Sequence, residues 1–329
     1  MEFSELARLA SGHVEARIVQ VAVELGVFDA IGNRVMDAGS IASSLGTETR
    51  ATILLLNALA ALRLLEKTGD RFALTPVAAK HLVRSSPRYL GGMILFDASL
   101  WNCWENLHKA IRSGRPVRLP NMYQDDPGEI ETFIDGMDSL VNARGDAEIV
   151  AKALDWQGVT ELLDVGSGPA TYPIYLSRQH PQLRATIFDL PGTLTITERY
   201  VRKAGLMERI RLIDGDYRRD LIPGSYDVVF LSNIVHGEGE QDNRSLIHKL
   251  VANLKASGRL VVKDHILDDS RTTPPVGAIF SLLMLLTTTS GRCYTFSEIK
   301  LWMEQAGLSQ VRQIDLPPPL TSSLVIGTK

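Results

Sequence analysis

Leu162-Leu163-Asp164-Val165-Gly166-Ser167-Gly168-Pro169-Ala170-Thr171 lies halfway along a chain of 329 residues. Its apolar run, β-branched residue and glycine-rich turn read as a buried strand handing over to a helix. Backbone N–H groups at such a junction can approach a ligand closely, because Gly166 and Gly168 carry no Cβ. Many doubly wound nucleotide sites share the feature. The sequence on either side selects the ligand.

Downstream, strands alternate with helices, the pattern of a parallel sheet covered on both faces. Candidate strands are Glu161–Val165, Arg184–Phe188, Ile210–Ile213, Tyr226–Ser232, Gly258–Asp264, Gln310–Ile314 and Ser323–Thr328. Helices fall at Tyr172–Gln179, Thr193–Ala204, Asp242–Leu254 and Ser297–Ala306. Only a short linker with Pro317-Pro318-Pro319 joins the last two strands, too short for a crossover helix, so they should pair antiparallel.

Polar residues stand at the carboxyl ends of these strands, where open α/β sheets bind ligands. Asp189 can accept two hydrogen bonds from a ribose diol. Asp216 can accept from an exocyclic amine, and Tyr217 can cover a base ring. His236 ends the fourth strand segment, and Asp264 and His265 end the fifth. Helix capping and turn formation are the competing reading of Asp189 and Asp216, and pocket shaping that of His236. A dinucleotide fingerprint would want glycine where Thr171 stands. The run Asp164-x-Gly166-x-Gly168-x-Ala170 instead resembles the first motif of class I S-adenosylmethionine-dependent methyltransferases, with Ala170 for the usual last glycine. The short-linked final hairpin resembles the reversed seventh strand of that fold.

Upstream, apolar positions at helical spacing in 11–31 stop at Gly26, and a short helix over Asp37–Leu45 closes at Gly46. Thr47 is expected to cap a third helix, whose Leu55, Leu56, Leu59, Leu62 and Leu65 form a stripe. Thr68-Gly69-Asp70 then turns a small hairpin. Three helices and a hairpin make a winged-helix pattern. Its leucine-rich, weakly charged surface favours dimerisation over DNA. Residues 86–150 are helical and rich in large side chains. Met93, Phe96, Trp101 and Trp104 in one segment, and Phe133 and Met137 in another, suit core packing singly. As a group they suit a flat, apolar ligand pocket between domains. Phe280, Met284 and Tyr294 extend that set.

Hydrophobic content of 45% and charged content of 22% are ordinary for a globular chain. The net charge of −3 gives no reason to expect nucleic acid or an anionic membrane as partner. Two cysteines, Cys103 and Cys293, imply no disulfide framework. The acidic N-terminus lacks the basic start of a signal peptide, and no apolar run spans a bilayer. A cytoplasmic protein is expected. Cys293 and His265 lie on separate segments, so no metal is expected.

Over nearly its whole length the chain resembles the dimeric small-molecule O-methyltransferases related to plant caffeic acid O-methyltransferase and bacterial natural-product enzymes. The resemblance implies a winged-helix dimerisation domain at 1–85, an all-helical region followed by the hairpin. A helical pocket segment at 86–150 and an S-adenosylmethionine-binding domain at 151–329 follow. The last is an α/β class I methyltransferase domain, Rossmann-like, with a mostly parallel seven-stranded sheet and an antiparallel last strand. It implies that Asp164, Gly166, Gly168, Asp189, Leu190, Asp216, Tyr217 and Ser232 hold the cofactor. His236 falls at the catalytic histidine, and Asp264 where a carboxylate orients it. The sequence departs from the family at Gly237 and Glu238, where an acidic residue and tryptophan are usual. It departs also at Ser232, usually lysine, and at Cys293, where a second carboxylate would flank the histidine.

The expected activity is methyl transfer from S-adenosylmethionine to a hydroxyl of an aromatic or polyketide-like molecule. Two alternatives stay open: non-methylating hydroxylation or decarboxylation on the same scaffold, and a winged-helix DNA-binding regulator.

Overall fold

Leu162, Leu163 and Val165 are buried because strand β1 (Glu161–Val165) sits in the middle of a sheet covered on both faces. The remaining strands are β2 (Arg184–Asp189), β3 (Ile210–Asp214), β4 (Tyr226–Ser232), β5 (Leu254–Asp264), β6 (Ser309–Asp315) and β7 (Ser323–Thr328). Their order across the seven-stranded sheet is β3-β2-β1-β4-β5-β7-β6. The first five run parallel. β7 returns antiparallel between β5 and β6, as the short proline linker requires. β5 begins four residues before its expected start at Gly258, with Ser257 in a left-handed conformation (φ 62°) and a register shift against β4.

This computed structural model describes residues 1–329, which pack as two units. The first comprises Met1–Trp101 with Asp135–Ala143, and the second Asn102–Ile134 with Arg144–Lys329. The 86–150 segment is thus divided between the two units. One helix, Pro127–Arg144, contributes residues to both.

The first unit is not all helical. Its helices Phe3–Glu24, Val27–Ile31, Ala38–Leu45 and Thr49–Ala61 accompany a three-stranded antiparallel sheet. The expected hairpin forms as Leu65–Thr68 and Arg71–Leu74, and Met36–Asp37 adds a third strand. Thr47 does not cap the third helix. Glu48 does, accepting from the N–H groups of Arg50 and Ala51, while the Thr47 hydroxyl bonds Thr52. A glutamate long enough to take two N–H groups outcompetes the shorter threonine one position back. Phe28, Ile41, Leu56, Leu59 and Phe72 fill this unit's core. Leu6, Leu9, Val14, Ile53 and Leu54 remain exposed.

In the second unit, side chains alternate across the sheet. The pairings Asp164–Phe230 and Ser232–Lys263 put these four on one face. Val165, Leu231, Val262 and Asp264 point to the other. The second face packs on helices Glu240–Ala252 and Phe296–Gln305, the latter opened by a Thr295–Glu298 capping box. The apolar run at 276–286 forms a helix, Pro275–Thr287, started by proline at its first position.

The first face holds a polar group that the sequence pattern does not announce. Asp146 is fully buried and takes two hydrogen bonds from Arg144, at 2.9 and 2.6 Å. The fully buried Lys263 ammonium lies 3.5 Å from the same carboxylate. Desolvation lowers the Lys263 pKa, against the pull of Asp146. Removing one partner strands a buried charge, which costs more than the intact pair contributes. Asp146→Ala is therefore expected to lower the unfolding free energy by about 3–5 kcal/mol in urea titration; a loss below about 1 kcal/mol would show that Lys263 does not depend on this carboxylate.

Candidate active site

The turn after β1 depends on two left-handed glycines, Gly166 (φ 67°) and Gly168 (φ 59°). The Gly166 N–H donates to Phe188 O at 2.9 Å, which fastens the turn to the end of β2. A Cβ on Gly166 would stand 2.3 Å from Ile234 Cδ1 and 3.9 Å from the Tyr217 ring. Ala170, also left-handed (φ 61°), starts helix Thr171–Gln179. Its Cβ carries the cost of that conformation, about 1–2 kcal/mol, which glycine would avoid.

Asp189 closes β2 and faces this turn. Its Oδ2 accepts from the Gly168 N–H at 2.9 Å and its Oδ1 from the Leu190 N–H at 2.8 Å. Each oxygen retains a further lone pair. Burial raises the Asp189 pKa to about 6, and the two backbone N–H groups pull the other way. Asp164 Oδ2 accepts from the Ser167 hydroxyl at 2.6 Å, while its buried Oδ1 has no partner within the protein. Burial pushes the Asp164 pKa up to about 7. The buried Ser232 hydroxyl lies on the same sheet face, beside Tyr172. Asp216 is held in a tight turn: its Oδ1 accepts from the Arg218 N–H at 2.9 Å. Tyr217 donates to Glu238 Oε1 at 2.7 Å, and Arg218 Nε donates to the same oxygen at 2.8 Å. The spare lone pairs of Asp189 and the unpartnered Oδ1 of Asp164 fit a ligand rich in hydrogen-bond donors.

His236 lies in the 3₁₀ turn Val235–Gly237 after β4. Its Nδ1 lies 2.7 Å from Asp264 Oδ1, and its own N–H donates to Asp264 Oδ2 at 3.1 Å. One carboxylate thus grips both ring and backbone. A carboxylate accepts, so Nδ1 carries the hydrogen and Nε2 presents a lone pair. Burial would raise the Asp264 pKa, but its interactions with His236 and His265 together outweigh the burial and hold the pKa below the ordinary carboxylate value. The turn is braced from below: Asn243 Nδ2 donates to Val235 O and Glu238 O, and the Tyr294 hydroxyl donates to Glu238 O.

Cys293 supplies no second carboxylate. It is buried, and desolvation pushes its thiol up to about 12, so it stays neutral. Tyr294, expected in the ligand pocket, is turned into the core, 2% exposed, with its ring edge-on to Trp302 at 4.9 Å. Of the other aromatic and methionine candidates, Phe280 meets the His236 ring edge-on at 4.8 Å, and Met284 follows one turn later. Phe133 stacks on Tyr123 at 4.8 Å, and Trp104 is partly buried. Met93, Phe96, Trp101 and Met137 belong to the first unit, where Phe96 is buried and Trp101 donates to Gln20. Glu238 was missed as a site residue. A lone glutamate after a histidine carries no signal until the fold brings Tyr217 and Arg218 to it.

The sheet order, with its reversed last strand and a glycine turn facing Asp189, defines a class I methyltransferase fold. The family model for the O-methyltransferase domain matches residues 104–309, and that for the O-methyltransferase dimerisation domain matches residues 7–84. The chain belongs to the O-methyltransferase family and is an S-adenosylmethionine-dependent O-methyltransferase. It is 32% identical over 330 residues to 3-hydroxy-5-methyl-1-naphthoate 3-O-methyltransferase of Streptomyces sahachiroi, covering 98% of this chain and 94% of that protein. It is also 32% identical over 333 residues to the tetracenomycin polyketide synthesis 8-O-methyl transferase TcmO of Streptomyces glaucescens, covering 99% and 96%. The crystal structure of human N-acetylserotonin methyltransferase in complex with SAM shares the fold, with a TM-score of 0.90, 22% identity and coverage of 99% and 97%.

Two tests follow from the site geometry. A ligand that donates hydrogen bonds to the free lone pairs of Asp189 would favour its charged form and lower its pKa from about 6. Calorimetric titration with S-adenosylhomocysteine at pH 6, in buffers of different ionisation enthalpy, is expected to show proton release that shrinks by pH 8. Equal heats in all buffers at pH 6 would contradict this. Gly291 lies against the histidine turn, where a Cβ would stand 2.4 Å from His236 O and 2.9 Å from Gly237 C. Gly291→Ala should therefore displace His236 and lower kcat by about 10- to 100-fold, with S-adenosylhomocysteine affinity nearly unchanged. A normal kcat would show that this contact does not set the position of the turn.

Proposed function

We propose that the chain transfers the methyl group of S-adenosylmethionine to a hydroxyl of an aromatic or polyketide-derived acceptor, with His236 as general base and Asp264 as its orienting partner. The carrying observation is the 2.7 Å contact between His236 Nδ1 and Asp264 Oδ1, with the His236 N–H on the other oxygen. S-adenosylmethionine, when bound, supplies an electrophilic methyl on a sulfonium. The protein has to align the acceptor oxygen with that methyl and take its proton. His236 Nε2 is the lone pair that receives the proton, and Asp264 stabilises the imidazolium that results. The methyl–sulfur bond breaks as the methyl–oxygen bond forms, leaving S-adenosylhomocysteine.

Asp164, Gly166, Gly168, Asp189, Leu190, Asp216, Tyr217 and Ser232 form the cofactor set in this reading. Asp189 takes the ribose diol, Asp216 an adenine amine and Tyr217 the base ring. Phe280 presents an apolar ring on the His236 side, which favours a flat acceptor. The naphthoate- and tetracenomycin-modifying relatives support that class. The match to a dimerisation domain and the exposed Leu6, Leu9, Val14, Ile53 and Leu54 support a homodimer formed through the first unit. The cytoplasm is the proposed compartment, and no helix is long and apolar enough to cross a membrane.

His236→Ala is expected to lower kcat by about 10²- to 10⁴-fold at saturating acceptor, while S-adenosylhomocysteine binding persists. Asp264→Asn should give a smaller loss of the same kind. Near-normal turnover of His236→Ala would remove the base assignment and leave the cofactor assignment standing.

A further inference from the structure

Phe280 stands between two imidazoles. The His236 ring meets it at 4.8 Å and 77°, and the His265 ring at 5.0 Å and 54°. The His265 peptide N–H donates to Asp264 Oδ1 at 2.7 Å, the oxygen that also serves His236. Any residue could perform that backbone duty. The His265 side chain has an arrangement of its own. Its Nδ1 lies 3.0 Å from Thr321 O. A carbonyl oxygen can only accept, so Nδ1 carries the hydrogen and Nε2 is a lone-pair acceptor. His265 is partly buried, and desolvation lowers its pKa. That keeps the lone pair available near neutral pH.

Both histidines are therefore held in the same tautomer, and what distinguishes them is the partner of Nδ1. His236 has a carboxylate, which stabilises the imidazolium and makes proton removal favourable. His265 has a neutral carbonyl, which fixes the ring without favouring a charge on it. Such an imidazole accepts a hydrogen bond and does not take the proton.

We propose that His265 is a specificity-determining residue whose Nε2 accepts a hydrogen bond from a second hydroxyl of the acceptor while His236 deprotonates the first. The acceptor class is then a dihydroxylated fused arene lying along Phe280, one hydroxyl to each imidazole. This assignment rests on the reading of an aromatic hydroxyl acceptor with His236 as its base. A site built to accept from a hydroxyl penalises an analogue that lacks it, because a buried acceptor is left unpaired.

The test uses the full chain with S-adenosylmethionine, 1-naphthol and a set of dihydroxynaphthalenes. Wild-type kcat/KM for the best diol is expected to exceed that for 1-naphthol by about tenfold or more. His265→Leu should bring the ratio to within about twofold of one. His265→Gln, whose amide oxygen can accept, should keep part of the preference. A wild-type chain without the preference, an undiminished preference in His265→Leu, or equal losses on all acceptors in both variants would overturn the assignment; the last would mark a purely structural residue. Failure of the wild-type chain to methylate any naphthol, with S-adenosylhomocysteine still bound, would overturn the acceptor reading and this assignment with it. Methylation of both classes with the preference intact in His265→Leu would overturn this assignment alone.

Discussion

The Asp264 carboxylate, buried at the carboxyl end of a central strand, is the group on which the reactive side of the molecule depends. It accepts from His236 Nδ1, from the His236 N–H and from the His265 N–H. An isolated carboxylate at this depth would take up a proton, since burial disfavours its charge. Three donors make the charge tolerable. The same three contacts fix where the 3₁₀ turn sits, which ring nitrogen carries hydrogen, and where the segment after β5 departs. The single carboxylate thereby does the orienting work alone, with Cys293 a neutral, buried filler.

The sheet topology joins the histidine turn to the glycine turn after β1. β4 lies between β1 and β5, so the turn after β4 reaches both neighbours. Toward β1, Ile234 leaves no room for a Cβ on Gly166. Toward β5, His236 meets Asp264. Glu238, just past the histidine, binds Tyr217 and Arg218 from the turn after β3 and supplies a carbonyl to Tyr294. The turns after β1 and β3 are therefore tied to Asp264 through one short segment, residues 232–238. The alternatives of non-methylating chemistry and DNA regulation find no comparable support. The relatives at 32% identity are named as O-methyltransferases, and an oriented histidine is what hydroxyl methylation needs.

Much of this was legible in the residues. The strands on either side of Gly166 were readable because a parallel sheet buries both faces and leaves continuous apolar runs. The reversed last strand followed from the proline linker, which excludes a crossover helix. Asp189 and Asp264 stood out because each ends a strand, and His236 because it lies in the turn just after one. What escaped has a common cause. Glu48 replaces Thr47 as a cap because side-chain reach decides between neighbours. Lys263 alternates onto the face of β5 opposite Val262 and Asp264 and finds Asp146, more than a hundred residues away, a pairing with no local signature. Tyr294 carries the composition of a pocket residue, yet its hydroxyl finds Glu238 O and its ring finds Trp302, and both turn it inward. The division of the chain was also obscured, because one continuous helix, Pro127–Arg144, serves two units.

The chemistry turns on where one methyl group goes. Incubation of the chain with methyl-labelled S-adenosylmethionine and a hydroxynaphthoic acid, with the product resolved by mass spectrometry and NMR, tests it most directly. One methyl ether is expected per S-adenosylhomocysteine formed, with the label on oxygen. Label on carbon, or a hydroxylated or decarboxylated product carrying no methyl, would contradict it.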